Sequence, residues 1–103
     1  ALTERGILIN QHESPFYSEH SMTVQKAHKQ IATMFPISMV YQCHIPSYPS
    51  GHWLFGFASK KYHPINDLNA DKWNSLGLKT RYYNTDLHKG CFCLPTYVKE
   101  LLG

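Results

Sequence analysis

Apolar residues along this chain fall in short clusters, and the spacing inside each cluster predicts an element. Ile7-Leu8-Ile9 is a continuous apolar run behind Gly6, β-branched at two of its three positions. Such a run predicts a strand covered on both faces, as in a parallel sheet. Gly6 reads as the stop of a preceding helix. Polar residues from Asn10 to Ser14 end the strand before Pro15. Just past such a strand end is where α/β proteins bind their ligands. Val24, Ala27, Ile31 and Phe35 recur three or four residues apart, which predicts a helix over about 21–35 with one apolar face. Ser18 or Ser21 can cap its start, and Pro36 ends it.

Residues 37–45 and 52–59 read as strands, the second rich in aromatics. Pro46-Ser47-Tyr48-Pro49-Ser50-Gly51 between them is a turn, so the pair predicts an antiparallel hairpin. A polar connection over 60–69 leads to a short helix over 70–76, with Asn69 as N-cap and Gly77 as stop. A loop carrying His88 and Gly90 comes next. Pro95 opens a last helix with Val98, Leu101 and Leu102 on one face. The order of strand, helix, hairpin and helices predicts an α/β architecture. One parallel-type strand cannot stand alone, so residues 1–103 read as the C-terminal part of a longer domain.

Composition narrows the function classes. Aromatics are 14% and charged residues 17% of 103 residues, the reverse of a disordered segment. The net charge is +3, but the basic residues are scattered and only Lys60-Lys61 are adjacent. That pattern argues against a nucleic-acid binder, which gathers its basic side chains in a patch. No apolar run approaches the ~20 residues of a membrane-spanning helix. Three cysteines are too few for a disulfide scaffold and suit a reducing, cytoplasmic compartment.

Several residues are candidates for chemistry, each with a plainer reading. His88-x-x-Cys91-x-Cys93, with Cys43-His44 elsewhere, offers zinc donors but lacks a CxxC knuckle. The plainer reading is small apolar fillers. A Cys43 nucleophile with His44 as base is badly arranged, because neighbours in a strand point to opposite faces. Glu13 is either a base or ammonium ligand, or a solvated loop carboxylate. Gln11, an amide just past the strand, offers a ligand both donor and acceptor; otherwise it fixes the loop. Tyr48, stiffened by nearby prolines, can orient a polar or cationic ligand, or simply pack. Trp53 can wall an apolar pocket or join the core. No phosphate-binding glycine loop or nucleophile elbow is found.

Three segments in combination resemble the spermidine synthases, the putrescine aminopropyltransferases, and bacterial members most. They are Gly6-Ile-Leu-Ile-Asn-Gln11-His-Glu13-Ser-Pro15, Ile45-Pro-Ser-Tyr48-Pro-Ser-Gly51, and Leu78-Lys-Thr-Arg-Tyr82-Tyr83-Asn84-Thr-Asp-Leu-His88 with Phe92-Cys-Leu94-Pro95. The resemblance implies a Rossmann-like, methyltransferase-type fold, with Ile7–Gln11 as its fifth strand and 37–59 as its closing hairpin. It implies aminopropyl transfer from decarboxylated S-adenosylmethionine to putrescine, giving spermidine and methylthioadenosine, without a metal. The family's catalytic Asp, glycine-rich loop and ribose-holding acid would all precede Ala1, as would a small N-terminal β domain. Gln11 and Tyr48 match residues that fix the putrescine nitrogens, Tyr48 partly through water, and Trp53 falls where the aliphatic channel is lined. Glu13 matches a family position that either binds or braces. His88 matches a structural histidine, and Cys93 a position where small residues are common. A dimer or tetramer is implied for the full-length enzyme. Three alternatives stay open: another polyamine synthase, a putrescine N-methyltransferase, or a non-catalytic fragment that only self-associates.

Overall fold

The computed structural model describes residues 3–12, 18–48 and 51–102, and for 18–24 the backbone alone. Its elements are strand β1 (Ile7–Gln11), helix α1 (Ser18–Met34), strands β2 (Ile37–His44) and β3 (His52–Ser59), and helices α2 (Ala70–Ser75), α3 (Thr85–Gly90) and α4 (Thr96–Leu102). β3 is the central strand, with β1 on one side and β2 on the other, both antiparallel to it.

The register sorts the side chains between two faces. Ile9 and Met39 both pair with Phe57, and Asn10 and Val40 both pair with Gly56. Because strand side chains alternate, Ile7, Ile9, Tyr41, Phe55 and Phe57 share one face. Leu8, Val40, Leu54 and Ala58 share the other. The second face carries the core. Leu54 and Val98 are fully buried and Val40 nearly so, with Leu94, Leu101 and Leu102 packed against them. Burying a side chain of Leu54's size contributes about 1.5–3 kcal/mol. α1 packs on β2, β3 and α4 over this core, and the Gln25 amide donates to the Leu101 carbonyl at 2.7 Å. The first face is covered by the chain after β3. Phe92 meets Tyr41 at 5.3 Å and Phe57 at 6.4 Å between ring centroids.

The hairpin and α2 stand where the sequence predicts. Asn69 Oδ1 accepts from the Lys72 N–H at 3.1 Å, and Gly77 follows at φ +62°, a left-handed turn that suits glycine. α1 starts at Ser18, earlier than expected, and ends before Pro36 as expected. Ser18 and Ser21 both lie inside α1, so neither stands ahead of it as the expected N-cap; the Val24 side chain lies outside what is described.

Two expectations are corrected. The loop expected at His88 and Gly90 is the helix α3. Asn84 Oδ1 caps it by accepting from the Leu87 N–H at 2.7 Å, and Gly90 sits at its last position, where a glycine costs little. β1 is not covered on both faces, since Ile7 is 48% and Ile9 50% exposed. Its partner among the described residues is the antiparallel β3; a parallel neighbour was expected only from outside residues 1–103.

Candidate functional site

The three candidate residues lie at one end of the sheet, and two of them, Tyr48 and Trp53, touch. Gln11 closes β1 opposite Phe55, near the start of β3. The hairpin loop turns at this same end, because His44 pairs with His52. Alternation puts Gln11, Phe55 and Trp53 on one face. Trp53 is 7% exposed, and the Tyr48 ring meets it edge-on at 5.0 Å, itself 40% exposed. Backbone bonds hold the loop. Tyr48 N–H donates to the Ile45 carbonyl at 3.0 Å, Gly51 N–H to the Tyr48 carbonyl at 3.1 Å, and Ile45 N–H to the Gly51 carbonyl at 2.9 Å. Gly51 closes the turn at φ +68°. Tyr48 is thus fixed by its own backbone bonds. Pro49 and Glu13 lie outside the described residues.

An exposed amide, a half-open phenol and a buried indole bring polar and apolar groups to the same end of the sheet. Such a combination suits an amine carried on an alkyl chain. The amide and phenol meet the nitrogens, and the rings meet the methylenes or the cation. A cavity lies on the same face but elsewhere. It measures about 580 Å³ and is lined by Ile9, Tyr41, Phe57, Tyr83, Leu87 and Phe92, among others, but by none of the three candidates.

The remaining histidine and cysteine candidates resolve into structural roles. His88 Nδ1 lies 2.8 Å from the Tyr83 hydroxyl and Nε2 2.7 Å from the Pro64 carbonyl. A carbonyl only accepts, so Nε2 carries the proton and Nδ1 accepts from the phenol. The ring ties α3 to the connection after β3, the structural role expected of it. Burial pushes the Cys91 thiol up to about 11, the reverse of what a nucleophile needs. Cys43 and His44 face opposite sides of β2, as their register partners Trp53 and His52 require. Tyr82 is pushed upward, first by its bond with Cys43 and then by burial. Among the described residues no three His, Cys, Asp or Glu side chains converge as metal ligands. None of the described helices is long and apolar enough to cross a membrane.

Sequence reasoning passed over His12, which is 3% exposed. Its backbone N–H donates to the Leu54 carbonyl at 2.9 Å, one step past the last ladder pair. Its Nδ1 lies 3.1 Å from the Asn10 amide nitrogen. Both side chains fill the space over Gly56, where a Cβ would come within 2.9 Å of His12 Nε2. Burial lowers the His12 pKa below the usual histidine value, and His28 on α1 lowers it further. The one sequence signal was alternation, Asn10 and His12 on the side opposite Gln11, with a glycine in the strand that receives them.

Residues 1–70 match the defining pattern of the spermine/spermidine synthase domain. The chain is 78% identical over 103 residues to a polyamine aminopropyltransferase of Lachnoclostridium phytofermentans, covering all of this chain and 36% of that protein. It is 69% identical over 102 residues to the polyamine aminopropyltransferase of Alkaliphilus oremlandii, again 36% of the relative's length. The spermidine synthase of Thermotoga maritima superposes on the whole chain with a TM-score of 0.91 at 38% identity, over 36% of its own length. A spermidine synthase solved in complex with the transition-state analogue AdoDATO gives the same TM-score of 0.91 and identity of 38%. The chain therefore spans about a third of the length of the relatives it matches, and it shares their fold.

Proposed function

The chain belongs to the spermine/spermidine synthase family, and we propose that residues 1–103 form the C-terminal part of a polyamine aminopropyltransferase. The cofactor-binding half and an N-terminal β domain precede it in this reading. The full-length enzyme passes an aminopropyl group from decarboxylated S-adenosylmethionine to putrescine. The amine nitrogen attacks the methylene beside the sulfonium and a C–N bond forms. The C–S bond breaks, its electron pair stays on sulfur, and methylthioadenosine leaves as a neutral thioether. The nitrogen loses one proton as spermidine forms. No metal is required, because the sulfonium is already an activated leaving group.

The nitrogen attacks only when neutral and in line, about 3–3.5 Å from the carbon. A carboxylate in the preceding part takes its proton. Gln11 and Tyr48 hold the amine ends and Trp53 lines the tetramethylene path. What supports this reading is the placement of these three residues at the same end of the sheet, with Tyr48 packed on Trp53. The isolated chain is inactive in this account. It associates with its preceding half, or with itself, through the edge of β1 flanked by the half-exposed Ile7 and Ile9. The full-length enzyme is a cytoplasmic dimer or tetramer, with no nucleic acid or membrane partner.

The test gives the full-length polypeptide the decarboxylated donor with putrescine or with spermidine, and S-adenosylmethionine with putrescine. Products are read by mass spectrometry. Spermidine with methylthioadenosine supports the proposal. Spermine alone makes it a synthase for the longer polyamine, and N-methylputrescine makes it a methyltransferase. No product from folded protein overturns it.

A further inference from the structure

We propose that His12 is a positioning residue, whose buried ring, tied to Asn10 over Gly56, holds the end of β1 so that Gln11 faces the amine. This rests on the reading of Gln11 as an amine-binding residue. Gln11 and His12 are adjacent in extended chain, so turning one outward turns the other in. Gln11 is exposed and His12 is 3% exposed. The outward residue lies at the last ladder position, where little else in the backbone fixes it. Beyond it, among the described residues, the His12 N–H donates to the Leu54 carbonyl at 2.9 Å.

The ring is held by fit as much as by bonding. Gly56 lacks the side chain that would occupy its place. Asn10 Oδ1 and His12 Nε2 are both buried without a partner among the described residues. Whichever way the Asn10 amide is turned, one ring nitrogen is tied and the other is not. Unpaired buried polar atoms are costly, and an apolar side chain in this position would avoid that cost. A core that only had to be filled would not need an imidazole here. An imidazole with one tied nitrogen instead fixes both the depth and the rotation of the strand end. It is a positioning residue and touches no substrate.

The experiment uses the full-length polypeptide with His12→Leu, His12→Asn, Asn10→Ala and Gln11→Ala. Leucine fills the space without an acceptor, while asparagine keeps an acceptor near the Nδ1 position. His12→Leu and Asn10→Ala should each raise the putrescine KM about tenfold, the scale of one lost hydrogen bond to a charged group. The KM for the decarboxylated donor should stay within about twofold. His12→Asn should recover most of the putrescine KM. A merely structural loss would lower the active fraction and leave both KM values alone. If Gln11→Ala raises the putrescine KM but His12→Leu and Asn10→Ala do not, His12 positions nothing and the proposed function stands. If Gln11→Ala also leaves that KM unchanged, the amine-site reading fails and this inference fails with it. Should His12→Leu fail to fold, Asn10→Ala alone decides, by the same split.

Discussion

Replacing Gly56 by alanine tests the packing beneath the site with a single methyl group. The added Cβ would lie 2.9 Å from His12 Nε2, and closer still to Asn10 Oδ1. Ordinary contacts are about 3.5–4.0 Å, so at least one neighbour must move. His12 is 3% exposed and Asn10 Oδ1 is buried, so neither has open space to enter. Overpacking of this kind costs about 1–3 kcal/mol. Alanine recovers about 0.5–1 kcal/mol of the backbone entropy a glycine loses in a strand. The net is a destabilisation of up to about 2.5 kcal/mol, centred near ~1 kcal/mol or roughly 2–4 °C in Tm. Thermal unfolding of the full-length polypeptide measures it. Adding Asn10→Ala removes the nearest obstacle, so Gly56→Ala should cost about 1 kcal/mol less in that background. An unchanged or raised Tm for Gly56→Ala, or zero coupling in the double variant, would refute the packing described here.

Three further outcomes follow from the same structure. Leu54→Ala should destabilise by about 2–5 kcal/mol, because Leu54 is fully buried against Val40 and Val98; chemical denaturation measures it, and a loss under 1 kcal/mol would contradict the core assignment. Tyr48→Phe should raise the putrescine KM about threefold to thirtyfold while leaving Tm nearly constant, since the ring still packs on Trp53; unchanged kinetics would remove its hydroxyl from the site. Stability should also depend on pH through His12, whose pKa is lowered from 6.5 by burial and then by His28. The folded state favours the neutral ring, so this contribution is complete above pH 6.5 and is lost as pH falls through the lower folded value. His28 is lowered too, by burial, and among the other described residues at His12, Asn10, Leu54 and Gly56 do not titrate. His12→Leu should flatten the acid side of a Tm-against-pH curve, and an unchanged slope would exclude His12 as its source.

Much of the fold was legible because local signals agreed with one another. Pro36, Gly51 and Gly77 punctuate the chain where elements end, and the aromatic-rich 52–59 run could only be a strand. α3 was not legible, because a six-residue helix ending in glycine has no periodicity to read; its start is marked only by the Asn84 cap. The exposure of β1 was misjudged for a different reason. Ile7-Leu8-Ile9 predicts cover on both faces, yet within this chain one edge is paired and one face is only partly covered. The site was half legible. Gln11, Tyr48 and Trp53 stood out by type and by family resemblance; the hairpin places Tyr48 by Trp53, and the β1–β3 register brings Gln11 to the same sheet end. The bracket of Asn10, His12 and Gly56 was not readable, because it joins residues more than forty apart whose pairing depends on that register. His88 likewise owes its role to Pro64, a contact no spacing predicts.

The central claim is that this sheet end is one wall of an aminopropyl-transfer site. The most direct measurement follows isotope-labelled putrescine in the full-length polypeptide with decarboxylated S-adenosylmethionine. The account predicts label in spermidine, with one methylthioadenosine for each spermidine, and a loss of both in parallel when Gln11 is replaced by alanine. Folded protein that makes neither product, or that makes them equally well without Gln11, would contradict it.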